Sequence, residues 1–304
     1  MRTTATTDAR DDFVVLTGDS PGRTQMLLAL GVVPGILAVI FCISRPFAGV
    51  QLRPVEAFVP FYVMAMFLNG LITAIILFAQ FSILRTRALL VIANGYLFLA
   101  LMAIPYTLSF PGVFEPARSL IGGLQSTPWL YIPRHCGFAM FVSAFALLKD
   151  SGVTPRPWQG NVRQMILLSV GMTTAIVLAA AFVCIADEAR LPIIINDRFH
   201  FNSTWVYYAG VPMASLYILA LILLWFQRHT VLGLWLMVVT CVHLVGVPLT
   251  FYPPPIRFSV GWYTVVTCWL TASSSLSYWW RYRNSMRAFC WRFALNIVSA
   301  RLDW

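Results

Sequence analysis

Two histidines in this sequence lie inside long apolar runs, where an imidazole could bind a metal ion or a haem. His135 occurs in W-L-Y-I-P-R-H-C-G-F and His243 occurs in T-C-V-H-L-V-G. Neutral imidazole is a common ligand of transition metals and of haem iron. Nothing in the spacing brings the two histidines together. The sequence therefore favours a second reading, in which each histidine hydrogen-bonds to a neighbouring helix.

Arg134 is the one charged residue that is placed well inside an apolar run. Insertion scales put the cost of an arginine at the centre of a membrane helix at about 2.5–3.5 kcal/mol. Pro128 and Pro133 indicate that the helix starts nearby, so the guanidinium could reach the membrane surface along its aliphatic stem. The alternative is that Arg134 contacts an anion in a cavity that opens to the outside.

Three amides, Asn69, Gln80 and Asn94, also lie inside apolar runs. Gln80 precedes Arg85 by five residues and Asn94 follows Arg87 by seven. A tight turn at these arginines would place the two amides at similar depth, roughly 8–11 Å from the turn by helical rise. We expect them to hydrogen-bond between helices. A polar ligand pocket is the alternative.

The sequence lacks the patterns that identify common catalytic sites. It contains no Walker A loop, no H-E-x-x-H, no G-x-S-x-G, no dinucleotide G-x-G-x-x-G and no G-G-D-E-F cyclase signature. The six cysteines show no C-x-x-C spacing and fall mostly in apolar runs, which is typical of buried, reduced side chains. We therefore expect that the protein is not an enzyme and has no resident cofactor or metal.

The elements that must hold these side chains are membrane helices. The 304 residues are 59% hydrophobic and 11% charged, whereas a soluble domain carries about 25% charged residues. A helix of about 20 apolar residues spans a bilayer and satisfies its own backbone groups there. The predicted fold is all-α, a polytopic bundle of about eight transmembrane helices. The predicted spans are 25–44, 58–83, 88–109, 128–148, 164–186, 205–226, 230–250 and 258–280.

The net charge of +10 indicates how the bundle is oriented and does not require a nucleic-acid partner. If the N-terminus is cytoplasmic, 14 of the 21 basic residues fall on the cytoplasmic side and six on the outer side, with Arg134 inside a span. Cytoplasmic loops carry the excess of basic residues, which contact anionic lipid. Both termini are thus predicted to be cytoplasmic, with membrane lipid as a partner.

The chain divides into three predicted segments. Residues 1–24 are a polar, cytoplasmic N-terminal tail, residues 25–280 are the membrane domain, and residues 281–304 are a basic, aromatic, cytoplasmic tail. Large apolar side chains in the last segment recur every three or four residues, as on one helix face. This pattern is typical of an interfacial helix anchored by Trp and Arg. The alternative is a helix that passes a signal to a partner.

Several stretches of the sequence resemble a known family. They are A-F-V-P-F-Y (57–62), the apolar run 71–114, Q-S-T-P-W-L-Y (125–131) and L-W-L-M-V-V (234–239). They resemble the membrane-associated sensor domain of the fourth type, in the MASE group, over residues 25–280 and most specifically over 57–148. The resemblance implies a multi-pass domain of the bacterial inner membrane that senses an unidentified stimulus. It also implies a cytoplasmic output, most often a diguanylate cyclase or a histidine kinase.

The resemblance extends to single residues. His135 falls where the family has a histidine after W-L-Y, and four further positions are familiar, namely Gln80, Arg85, Arg87 and Pro105. The chain departs from the family pattern where that pattern has acids, at Gly70, Gly233 and Gly246, and near Val266, where it has an arginine. The departures imply that a buried polar network of the family is missing from this chain.

The resulting hypothesis is a membrane sensor that relays a stimulus to a cytoplasmic signalling output. The output signature is absent from this chain, so the expected partner is a cytoplasmic signalling protein or a second copy of the chain in a homodimer. The alternative is a transporter or channel for a small solute, for which eight spans would suffice. Such folds usually show paired broken helices and buried charges at mid-membrane, and few ionisable groups lie that deep here.

Overall fold

The protein is described in a computed structural model over residues 58–110, 119–123, 125–149, 159–186, 190–197, 200–201, 206–226 and 230–251, and at positions 31 and 35. Within these residues the helices are α1 (Phe58–Leu84), α2 (Arg87–Ser109), α3 (Ser126–Lys149), α4 (Val162–Ala186), α5 (Val211–Phe226) and α6 (Val231–Phe251). A π-helical turn, Val206–Gly210, leads into α5. An antiparallel ribbon of two short strands, β1 (Ile195–Asp197) and β2 (His200–Phe201), lies between α4 and that turn.

The helices coincide with six of the predicted spans to within a few residues. Five helical segments of the described chain are long and apolar enough to cross a membrane: Phe61–Leu84, Arg87–Ser109, Ser126–Lys149, Val162–Ala186 and Tyr207–Phe226. Helix α6 contains a further, shorter apolar segment, Val231–Val247. The prediction of a helical membrane bundle is confirmed for this part of the chain. The predicted spans 25–44 and 258–280 and both tails lie outside the described residues, so the total of eight stays a prediction.

Helices α1 and α2 form a hairpin through a linker of two residues, Arg85 and Thr86. Arg85 has a positive φ of 54° and its N–H donates to the Phe81 carbonyl at 2.8 Å. This left-handed residue ends α1 in the way that glycine commonly ends helices. Thr86 is extended and precedes the first residue of α2. The chain therefore reverses at once and the two helices pack side by side.

Helix α2 is the centre of the bundle. Its side chains are buried almost all round, which is expected for a helix that is apolar on every face, and it packs against α1, α3 and α4. Glycines allow α2 and α3 to approach closely, since Gly95 on α2 lies against Phe141 and Gly137 on α3 lies against Phe98. Small residues have this role in many membrane helix pairs.

Helix α3 carries the contact to the other half of the bundle, because it packs on α2 on one side and on α5 on the other. Helix α6 packs on α5. Helix α4 buries only a narrow stripe, which consists of Thr173, Val177, Ala181 and Cys184. Many of its larger apolar side chains, such as Leu167, Leu168 and Phe182, are exposed at the surface of the bundle, where lipid would cover them.

The two ends of the bundle differ. At the loop end, which carries residues 119–123 and 190–197, Thr127 Oγ1 donates to the Ser109 carbonyl at 2.7 Å and the Ile194 N–H donates to Gln125 Oε1 at 2.9 Å. At the turn end, which carries the α1–α2 turn and the start of α6, Lys149 Nζ donates to Thr230 Oγ1 at 2.6 Å. Hydrogen bonds from α3 thus anchor both of its ends.

Candidate functional site

The candidate site is built on the half of α3 that lies toward the loop end. Arg134 and His135 follow the start of α3 at Ser126 by eight and nine residues, which corresponds to a depth of about 12–14 Å by helical rise. Adjacent residues on a helix point about 100° apart. Arg134 accordingly faces α2, whereas His135 faces α5 and α6.

His135 is held by a hydrogen bond to a neighbouring helix. Its Nδ1 lies 3.1 Å from the hydroxyl of Tyr217 on α5, and Tyr217 is fully buried. The Tyr131 ring, one turn earlier on α3, lies 4.1 Å from the imidazole between ring centroids. His135 therefore forms a hydrogen bond between two helices, which is the reading that the sequence favoured.

His243 on α6 joins the same group, which the spacing in the sequence had not indicated. Its ring lies edge-on to His135 with the centroids 5.5 Å apart and is parallel to the Tyr217 ring at 5.7 Å. Phe138 contacts it from α3 at 5.4 Å. His243 is only 3% exposed and its Nε2 has no hydrogen-bond partner among the described residues.

Arg134 is buried, at 3% exposure, so the predicted extension to the membrane surface is not what the structure shows. Its guanidinium carbon lies 5.5 Å from the centroid of the Tyr106 ring on α2, within the range of a cation–π contact. Its Nε has no hydrogen-bond partner among the described residues. Those residues include no carboxylate with a described side chain, so this contact with an aromatic face is the one interaction they provide for the charge.

Aromatic contacts connect these side chains into a continuous row across the bundle. Tyr106 on α2 contacts Tyr131 at 6.4 Å between ring centroids, Tyr131 contacts His135, and His135 contacts Tyr217 and His243. We call Tyr106, Arg134, His135, Tyr217 and His243 the arginine–histidine cluster. Its members lie on four helices, α2, α3, α5 and α6, and contacts between neighbouring side chains link these helices.

The comparison with known families decides what kind of domain holds this cluster. Residues 53–276 match MASE4, described as the integral membrane domain of a membrane-associated sensor. The chain belongs to the MASE4 family. This match covers all six described helices and confirms the resemblance found in the sequence. No curated protein and no solved structure matches this MASE4 chain.

Gly70 lies at a close contact between α1 and α2 of this MASE4 domain. A Cβ atom at Gly70 on α1 would lie 3.1 Å from the Ala100 Cβ and 3.3 Å from the Tyr96 carbonyl oxygen on α2. A carboxylate side chain would therefore separate the two helices. The glycine instead lets them approach closely.

The three amides of the MASE4 domain do not form the predicted pair. Asn94 Oδ1 on α2 accepts a hydrogen bond from Thr173 Oγ1 on α4 at 3.0 Å, and its Nδ2 donates to the Leu90 carbonyl at 2.8 Å. Gln80 is buried and neither amide atom has a partner among the described residues. Asn69 lies near the middle of α1, where its backbone carbonyl accepts a hydrogen bond from Thr73 Oγ1.

The predicted pair does not form because Asn94 bonds to a residue on another helix. A hydrogen bond between two amides also requires that both side chains face the same interface. Asn94 faces α4, which follows α2 in the chain by more than 50 residues. No local pattern in the sequence specifies which face of α2 meets which helix.

Among the described residues, no group of three or more His, Cys, Asp and Glu side chains could hold a metal ion. The residues that sequence reasoning missed are Tyr106, Tyr131, Tyr217 and Thr173. Each carries a hydroxyl group inside an apolar run. That placement is the feature of the sequence that could have identified them. A buried Tyr or Thr in a membrane helix needs a hydrogen-bond partner in the same way as an amide does.

Proposed function

We propose that this protein is a membrane sensor that relays a stimulus received at the arginine–histidine cluster to a cytoplasmic signalling output of the diguanylate cyclase or histidine kinase type. Membership of the MASE4 family supports the sensor role. The partner is a cytoplasmic signalling protein or a second copy of the chain, alongside membrane lipid. The protein itself carries out no catalysis. Its place is the bacterial inner membrane, with both termini in the cytoplasm.

The observation that carries the proposal is the position of α3. One helix bears Arg134 and His135 toward the loop end and Lys149 at the turn end. The fifteen residues from Arg134 to Lys149 span about 22 Å of continuous helix. Lys149 Nζ donates to Thr230 Oγ1, and Thr230 Oγ1 also accepts from the Gly233 N–H in the first turn of α6. A movement of α3 is therefore transmitted to the start of α6.

The excess of basic residues supports a cytoplasmic position for the turn end, where an output would act. A bundle of packed helices moves between discrete arrangements because its contacts cannot deform continuously. A ligand shifts such an equilibrium only if it binds the two arrangements unequally. The arginine–histidine cluster meets this requirement in principle, since its members lie on four helices and their spacing changes if any helix shifts.

The test is a fusion of the full chain to a diguanylate cyclase domain at its C-terminus, with cyclic di-GMP measured in cells. Lys149→Met keeps the length of the side chain but removes its hydrogen bond to Thr230. We expect the cyclase output to change by about five-fold or more, which corresponds to a coupling free energy of about 1 kcal/mol. Lys149→Arg, which keeps the donor, should stay close to the parent protein.

Arg163→Met is the matched control. Arg163 lies in the first turn of α4 at the same end of the bundle and its side chain is exposed. Its loss removes one positive charge without touching the α3–α6 contact. Equal output from Lys149→Met and the parent, or an equal change from Arg163→Met, would contradict transmission through α3.

Uptake assays in proteoliposomes address the alternative of a small-solute transporter or channel. The described helices α1 to α4 are continuous from end to end, whereas transporter sites are typically formed by broken helices. We expect no accumulation of a solute panel above that of empty liposomes. Saturable uptake that is lost in Arg134→Met would replace the sensor proposal with transport.

A further inference from the structure

We infer that the arginine–histidine cluster is a binding site for a ligand with a carboxylate group, and that this carboxylate lies between the Arg134 guanidinium and the His243 imidazole. The inference rests on the proposed function, because it names the chemical class of the stimulus. Two unpartnered polar atoms on different helices, Arg134 Nε and His243 Nε2, carry it. Both side chains are 3% exposed.

A buried guanidinium without an anion is costly. Moving an isolated ion out of water costs several kcal/mol even after relaxation of the protein, and one contact with the Tyr106 ring offsets only part of that. Natural proteins rarely leave such a group in a membrane interior unless it has a partner or marks a functional site. None of the described side chains is a carboxylate that could pair with Arg134, so a bound anion is the simplest group to complete the site.

The free atom of Arg134 indicates how the anion binds. Nε and the neighbouring terminal nitrogen form one edge of the guanidinium, and that edge can donate two parallel hydrogen bonds to a carboxylate. His135 follows Arg134 directly in α3, and its ring lies 5.5 Å from the His243 ring between centroids, so the three side chains belong to one cluster. His243 Nε2 can supply a third hydrogen bond to the same anion in the tautomer that carries its proton there.

Charge balance favours a carboxylate over a phosphate. A carboxylate carries one negative charge and neutralises the single arginine, whereas a phosphate monoester carries about −1.5 to −2 at neutral pH and would leave a net charge in the bundle. The walls of the site are aromatic, formed by Tyr106, Tyr131 and Phe138. They suit the apolar remainder of an organic acid. The same chemistry is offered by a fatty acid in the membrane and by a short-chain acid in solution.

The experiment measures thermal unfolding of the full-length protein in nanodiscs of zwitterionic phosphatidylcholine, with four probes. Oleate represents a carboxylate in the membrane, and butyrate represents a carboxylate in solution. Oleyl alcohol is the uncharged match to oleate. Inorganic phosphate tests whether a different class of anion binds. We expect a saturable rise in Tm of about 5 °C with at least one carboxylate, as a ligand at 100-fold its Kd would give. Oleyl alcohol and phosphate should have no such effect.

The two carboxylate arms identify the source. A response to oleate alone assigns the site to a membrane lipid acid, and a response to butyrate alone assigns it to a solute. An equal shift with oleyl alcohol would mean that the apolar chain alone binds, and a shift with phosphate but neither carboxylate would mean another anion class. Either result, or no shift with any probe, overturns the inference.

Variants test the location of the site. Arg134→Met should abolish the shift without lowering the Tm of the unliganded protein, since the variant removes an uncompensated buried charge. His243→Phe keeps a ring against Tyr217 and should weaken binding by about ten-fold, the effect of one lost charge-assisted hydrogen bond. If Arg134→Met does not fold, His243→Phe alone tests the location of the site. Unchanged carboxylate affinity in His243→Phe would place the ligand elsewhere and overturn the assignment.

Arg163→Met is again the control, because it removes a charge at the opposite end of the bundle and should bind like the parent. The outcomes also separate this inference from the proposed function. Carboxylate binding with an unresponsive cyclase fusion would leave a ligand site in a protein that does not signal through α3. A fusion that depends on Lys149 but shows no carboxylate binding would leave the sensor with another stimulus.

Discussion

The phenol oxygen of Tyr217 on α5 lies 3.1 Å from Nδ1 of His135 on α3, and this hydrogen bond joins the two halves of the bundle in its buried interior. Tyr217→Phe removes the hydroxyl and keeps the ring. We expect the free energy of unfolding to fall by about 0.6–1.7 kcal/mol, the range measured for such bonds in a membrane protein. Denaturant titration in mixed micelles measures it.

The control for that variant is Tyr207→Phe. Tyr207 lies in the π-helical turn just before α5 and, unlike Tyr217, is 72% exposed. Its hydroxyl has no role in joining the helices, so stability should change by less than about 0.5 kcal/mol. An equal loss from both variants would show that the His135 contact contributes nothing specific.

The hydrogen bond between Asn94 and Thr173 should hold α4 against the central helix. Thr173→Val removes the donor to Asn94 Oδ1 and leaves the amide oxygen buried. We expect a loss of about 1 kcal/mol, and a double-mutant cycle with Asn94→Leu should give a coupling free energy of the same size. Thr174→Val, which affects only a bond to the Val170 carbonyl in its own helix, should show no coupling to Asn94.

The α2–α3 interface should reject a single added methyl group. A Cβ at Gly95 would lie 2.7 Å from the Phe141 Cβ, so Gly95→Ala forces the helices apart and should destabilise by about 1–3 kcal/mol. Gly171→Ala on α4 is the matched control, because nothing lies within 4 Å of that position. Alanine has the higher helix propensity, so the control should be neutral or stabilising. Tm values of the purified variants decide between these outcomes.

Pro133 and Cys184 should behave as a compensating pair. Pro133 has no N–H to donate to the carbonyl of Trp129, four residues earlier, and the Cys184 thiol on α4 donates to that carbonyl instead, at 3.6 Å. Cys184→Val should lower stability by up to about 1 kcal/mol because the carbonyl loses its partner. Cys184→Ser should retain it.

Pro133→Ala provides the decisive comparison. Alanine restores the backbone N–H to α3, so the Trp129 carbonyl no longer depends on the thiol. The loss caused by Cys184→Val should then disappear in the double variant. Persistence of the full loss would mean that the thiol acts through packing alone.

The positions of the helices could be predicted from the sequence because a membrane helix is determined by the residues within it. About 20 apolar residues satisfy their own backbone in lipid whatever surrounds them, and the predicted spans 88–109 and 164–186 match α2 and α4 to within two residues. The family could also be recognised, since residues 53–276 match it as a linear pattern. The requirement of the Asn94 amide for a hydrogen-bond partner could also be predicted, because this amide lies inside an apolar run.

Which partner each polar residue has was decided only by the tertiary structure. Asn94 bonds to Thr173, 79 residues away, while neither amide atom of Gln80 has a partner among the described residues. His135 and His243 meet although 108 residues separate them, and Arg134 is buried although its stem is long enough to reach outward. In lipid, every outward face is equally apolar, so hydrophobicity cannot orient a helix. The faces that meet are selected by close packing at residues such as Gly95 and Gly137, and that selection exists only once the helices are together.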